Sequence, residues 1–114
     1  MKYFRLEEFD CTHTGLNEMD SEFLERIDFL REECGFPFRI SSGFRHETHP
    51  AERNKAEPGY HAKGQAADIL VNSGFERMNV VHNALKMGFG GIGVAKSFVH
   101  VDTRDSTPVM WTYS

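Results

Sequence analysis

"GYHAKGQAADI", residues 59–69, sets one carboxylate, Asp68, between Ala67 and Ile69 in a run that is otherwise small or apolar. Its continuation, "QAADILV", reads as a buried strand, short, bounded by Gly64 and Asn72, and ending on branched residues. An ionised carboxylate buried without a partner is strongly unfavourable or takes up a proton, so this aspartate requires a partner from elsewhere in the chain. His61, seven positions upstream, belongs to the same stretch.

A second polar pair stands in a second apolar strand. In "FVHVDT", residues 98–103, His100 and Asp102 are two apart and share a strand face with Phe98, while Val99 and Val101 turn to the other. Pairing of the two strands would bring His61, Asp68, His100 and Asp102 together. Two imidazoles and a carboxylate can hold a catalytic zinc ion, three protein ligands with a fourth position left for water. Zinc lowers the pKa of bound water towards neutrality. The same spacing also fits a buried histidine–aspartate pair with no metal.

Working outward, "NEMDSEFLERIDFLREECG" predicts a first helix. Met19, Phe23, Ile27, Leu30 and Cys34 form one apolar stripe, Asn17 or Asp20 can cap the start, and Gly35 and Pro37 end it. "FRISS", residues 38–42, alternates as a short strand. Residues 43–64 are polar and rich in histidine, with Pro50, Pro58, Gly59 and Gly64; so long a loop inside a small domain points to function or disorder. "SGFERMNVVHNALKMG" predicts a second helix, opened by a capping box at Ser73 and Glu76 and closed by Gly88, with His82 on its surface. "GGIGVAKSFVHVDTR" predicts a hairpin turning at residues 95–97, and "VMWTY" a final edge strand. The order predicts a small α+β domain over residues 1–114, its largely antiparallel sheet packed with two main helices.

Composition narrows the function classes. A net charge of −4 with no basic run longer than two residues argues against nucleic-acid binding and against a polybasic membrane patch. No apolar run approaches a membrane span, so no membrane insertion is expected. "MKYFRLEEFD" carries acids where a secretory signal needs its apolar stretch. Cys11 and Cys34, outside any CxxC motif, read as reduced thiols. A monomer, cytoplasmic as synthesised and acting on a wall only after release, is the expectation.

Together "SSGFR", "GYHAKGQAADI" and "GGIGVAKSFVHVDTR" resemble the zinc D-alanyl-D-alanine carboxypeptidase and L-alanyl-D-glutamate endopeptidase family of peptidoglycan peptidases, which shares its fold with the Hedgehog signalling domain. The resemblance covers essentially the whole chain. It implies His61, Asp68 and His100 as zinc ligands and Arg45, in "SGFR", as the group that grips a substrate carboxylate or carbonyl. A guanidinium suits that task because it offers two parallel hydrogen bonds. Phe44 and Gly59 stand where the family often has tyrosine and serine. Many relatives also carry an acid three residues before the second histidine, as catalytic base; here that residue is Ser97.

Asp102 is the substitute the sequence offers, either as proton shuttle or as a partner that orients a ligand histidine. Glu47 and Glu52, in the long loop, are weaker candidates for the base, His46 and His49 are candidates to line the cleft, and Glu47 and His49 join Arg45 as substrate-binding candidates. The implied activity is hydrolysis of an amide bond in the peptidoglycan stem peptide, by a carboxypeptidase or an endolysin-type endopeptidase, in phage lysis or wall recycling. The alternative is a zinc-stabilised binding or structural module without turnover, which the serine at position 97 favours.

Overall fold

Asp20 opens the first helix: its carboxylate accepts the backbone N–H of Phe23 at 2.9 Å, ahead of α1 (Ser21–Cys34). Gly35 closes it in the left-handed region, with φ of 75°. The second helix, α2 (Gly74–Met87), begins at Ser73, whose hydroxyl accepts the N–H of Glu76. The Glu76 carboxylate reaches back to the N–H of Asn72, one residue before the position a capping box uses. Gly88 ends α2 with φ of 82°. These bounds come from a computed structural model that describes residues 1–113.

Five strands form one sheet: β1 (Ile40–Ser42), β2 (Ala66–Leu70), β3 (Gly91–Val94), β4 (Phe98–Asp102) and β5 (Val109–Thr112). Their spatial order is β1-β2-β4-β3-β5, and every pairing is antiparallel except that of β5 with β3. The architecture is therefore α+β with a mostly antiparallel sheet, as the sequence predicts. The parallel edge strand was not anticipated, nor was a 3-10 turn at Leu6–Phe9, which places Phe9 in the core.

Alternation divides the sheet chemically. Ala67, Ile69, Ile92, Val99 and Val101 join Phe23, Ile27 and Leu30 of α1 and Val80 and Ala84 of α2 in one cluster. Ile69, Val99 and Val101 are fully buried and contribute about 1.5–3 kcal/mol apiece. That packing fixes the register, because a slip of one residue would turn every one of these side chains to the wrong face. The opposite face then carries Asp68, His100 and Asp102. Asp68 pairs directly with His100 across β2 and β4, and Ala66 with Asp102.

Residues 43–65 form turns held at both ends by backbone hydrogen bonds. The N–H of Phe44 donates to Phe9, that of Arg45 to His61, and that of Thr103 to Gln65. The Arg77 side chain, from α2, donates to the carbonyls of Ala95 and Lys96 and pins the β3–β4 turn. Cys11 and Cys34 are buried and free. Among the described residues no helix is long and apolar enough to cross a membrane.

Candidate metal centre

Three buried donors converge on the open face of the sheet. His61 Nε2 lies 3.2 Å from His100 Nδ1 and 3.3 Å from Asp68 Oδ1, and the last two atoms are 3.1 Å apart. A tetrahedral zinc site with bonds of about 2.0–2.1 Å has ligand–ligand edges of about 3.3–3.4 Å, so this triangle matches one face of such a tetrahedron.

Outer partners settle the tautomers. His61 Nδ1 lies 2.8 Å from the carbonyl of Gly43, which can only accept, so Nδ1 carries the proton and Nε2 presents a lone pair. His100 Nε2 lies 2.7 Å from Asp102 Oδ2, so in the neutral imidazole Nδ1 is the bare nitrogen. Two lone pairs and a carboxylate oxygen therefore face one another inside a site where all three residues are buried. Such a set repels itself unless a proton or a cation sits among its members, and the three residues present fit a divalent metal.

The electrostatics of the protein without metal carry the same message. Burial alone would raise the pKa of Asp68, but its contacts with the His100 and His61 imidazoles outweigh that and hold the carboxyl far below its usual range. Burial would lower that of His100, yet hydrogen bonds to Asp102 and Asp68 lift it above the ordinary imidazole value. The surroundings that favour positive charge on His100 are the ones a cation fits.

Asp102 shares the His100 face, as alternation predicts, but is fully buried behind the imidazole. Its Oδ1 accepts from the backbone N–H of Arg104 at 3.1 Å and from Nε at 2.8 Å, and its Oδ2 from Nη2 at 2.7 Å. Burial pushes its pKa up; the Arg104 and His100 hydrogen bonds overcome that and keep it far below the carboxylate norm. Gly91 makes the arrangement possible. A Cβ there would stand 2.2 Å from Asp102 Oδ2.

Arg45 reaches the centre from the long loop. Its Nη2 lies 3.3 Å from Asp68 Oδ2, and its Nε donates to the Ser42 hydroxyl at 3.0 Å. Along with the three donors, the cleft of about 300 Å³ is lined by Arg45, Lys55, Tyr60, Arg104, Trp111 and Tyr113, among others. Glu47 is exposed and borders a separate hollow of the loop with Thr48 and Arg53. His49 packs near His13 and Thr12. Neither is among the residues that line the cleft around the three donors. Glu52 is buried instead, bonded to the N–H of Gly59 and to Lys55. Ser97 lies in the β3–β4 turn beside Arg39, Asn72 and Glu76, in a different hollow from the donors.

Arg104, Tyr60 and Trp111 had no role in the sequence reading. The Arg104 guanidinium lies between the Tyr60 and Trp111 rings, at 4.5 and 5.1 Å from their centroids. The signal for it was the spacing His-x-Asp-x-Arg on one extended stretch, which puts all three side chains on one face.

An α+β sheet that gathers a His–Asp–His cluster on its open face has the architecture of a hydrolase with a metal-binding centre. Residues 2–102 match the sequence pattern of the family described as Peptidase M15, and the chain belongs to that family. Over 74 residues it is 36% identical to the peptidoglycan L,D-endopeptidase MepK of Escherichia coli strain K12, and equally to the MepK proteins of Escherichia coli O157:H7 and Shigella flexneri. Each match covers 59% of this chain and 40% of the relative.

Proposed function

We propose that the chain is a zinc-dependent peptidase that cuts an internal amide bond of the peptidoglycan stem peptide, with His61, Asp68 and His100 as ligands. The observation that carries this reading is the convergence of two tautomerically fixed imidazole lone pairs and one carboxylate oxygen on a single point. Membership of the M15 family supports the substrate class, and the name of the MepK relatives, L,D-endopeptidases, supports an internal cut.

When bound, zinc supplies a Lewis acid for the scissile carbonyl and brings water within reach of ionisation at neutral pH. The chain's own residues do the rest. Asp102 keeps the proton on His100 Nε2 and so keeps Nδ1 available as a donor atom. Arg45, one side of its guanidinium held by Asp68 and Ser42, points its charge into the cleft as the grip for a substrate carbonyl or carboxylate. The setting we propose is a monomer, made in the cytoplasm and reaching the wall on release, in phage lysis or wall recycling.

One observation favours a second reading, a binding module without turnover. Among the described residues that line the cleft, Asp68 is the one carboxylate, and as a candidate ligand it is not free to take a proton from water. Incubation of purified peptidoglycan with the zinc-loaded protein, with and without chelator, separates the two. New amino termini that vanish with chelator support the peptidase. Binding of the same sacculi without release of any termini supports the module.

A further inference from the structure

Trp111 on the edge strand β5 and Tyr113 just after it bring two aromatic rings to the cleft of the candidate metal centre by way of a missing side chain. Gly93 of β3 pairs with His100 on one side and with Trp111 on the other, so Asp68, His100, Gly93 and Trp111 form one row across four strands. A Cβ on Gly93 would stand 2.7 Å from Trp111 Nε1 and 2.8 Å from Tyr113 Cε2. Its absence lets both rings lie across β3. The Trp111 ring then comes within 5.0 Å of the His100 ring, and that of Tyr113 within 5.0 Å of Phe98.

Both rings keep a solvent-facing side. Trp111 is half-buried, Tyr113 is 44% exposed, and both line the same cleft as the three donors. Trp111 and Tyr113 are two apart, so strand alternation puts them on one face. The cations Arg45, Lys55 and Arg104 line the same cleft, Arg104 with its guanidinium 5.1 Å from the Trp111 ring centroid. Aromatic and cationic side chains thus line one cleft around the candidate metal centre. Trp111 and Tyr113 also lie outside residues 2–102, the part that matches the family pattern.

We propose that Trp111 and Tyr113 form the specificity wall of the cleft, which takes the aliphatic and peptide-plane surface of the substrate residue beside the scissile amide while Arg45 holds its carboxylate or carbonyl. The proposal rests on the peptidase reading for the identity of the ligand, a short anionic peptide of the wall. A rigid aromatic ring offers a large contact area with little ordering cost, which suits a peptide that has few large side chains of its own.

The chain contains a single tryptophan, so its fluorescence reports on this wall and nothing else. Synthetic stem-peptide fragments of two to five residues, titrated into the zinc-loaded protein, are expected to shift that emission saturably. Tyr113→Ala and Gly93→Ala, checked for native circular dichroism and zinc content, are expected to weaken binding about three- to tenfold. In the peptidase assay both are expected to raise KM and change the ratio of fragments cut, with kcat less affected. An unchanged emission at saturating peptide, or folded variants with wild-type affinity and fragment ratio, would overturn the wall. If the wild-type protein binds the fragments and the variants bind them less, yet nothing is cut, the peptidase reading falls and the wall stands. Should Gly93→Ala not fold, Tyr113→Ala alone decides.

Discussion

His100 Nε2 and Asp102 Oδ2 lie 2.7 Å apart, on the side of the imidazole that faces away from His61 and Asp68. The carboxylate therefore sits behind the ring, with both its oxygens also held by Arg104. Of the two roles the sequence left open for Asp102, this geometry favours orientation of a donor histidine. Asp102→Asn is expected to weaken zinc affinity about 10–100-fold, and activity should recover when zinc is added in excess. A loss of turnover at full zinc occupancy would instead make Asp102 the proton shuttle. Competition with a chromogenic chelator reads the affinity directly.

The ligand assignment makes a separate prediction. His61→Ala, Asp68→Ala and His100→Ala should each lose stoichiometric zinc when purified without added metal, whereas His82→Ala, on the exposed side of α2, should keep it. Mass spectrometry of the intact protein under native conditions measures this. Equal metal content in all four variants would remove the centre from those three residues.

Much of this site was legible because it obeys strand alternation. His100 and Asp102 had to share a face, Val99 and Val101 had to fill the core, and Asp68 had to face a partner once Ala67 and Ile69 were buried. The helices were legible for the same reason, with Ser73 and Asp20 capping as their side-chain chemistry dictates. What escaped depends on contacts distant in sequence. The parallel pairing of β5 with β3 brings residue 111 beside residue 93, and nothing local to "VMWTY" specifies that neighbour. The loop acids escaped similarly. Glu52 is buried and Glu47 exposed, although five residues apart in one polar segment, because only the fold of the loop decides which side turns inward.

On the proposed reading Arg45 has two duties, which changes what its removal should do. Its Nη2 holds Asp68 Oδ2, so Arg45→Ala would free one oxygen of the proposed ligand carboxylate as well as removing the proposed substrate grip. Loss of a charge-assisted contact of this kind is worth about 1.5–3 kcal/mol. We therefore expect kcat/KM to fall about ten- to a hundredfold, with a zinc affinity altered by no more than about tenfold. Arg45→Lys should restore little of the activity, because a lysine cannot offer two parallel donors. Wild-type kinetics in Arg45→Ala would return it to the ordinary loop residues.

Glu52 gives the pH prediction. Its carboxylate accepts the N–H of Gly59 at 3.0 Å and the Lys55 ammonium at 2.9 Å, with Arg45 Nη1 at 4.0 Å. These contacts tie together the middle of the loop, the residue two before His61, and Arg45. Burial would raise the pKa of Glu52, but the Lys55 and Gly59 hydrogen bonds and the Arg45 charge outweigh it, so the folded value lies below the ordinary one. A depressed folded pKa means that the stabilisation is fully present above the unfolded value of about 4.3 and is lost as pH falls through the folded value. Glu52→Gln is thus expected to cost about 1–2 kcal/mol at pH 7, the low end for charge-assisted contacts because Lys55 is half-exposed. Urea denaturation of the metal-free proteins at several pH values tests it, the metal being removed so that its own loss in acid does not intrude. The gap between wild type and Glu52→Gln should close as the pH drops below about 4. A gap of the same size at pH 7 and in acid would mean that the Glu52 charge does not hold the loop, and that its packing alone matters.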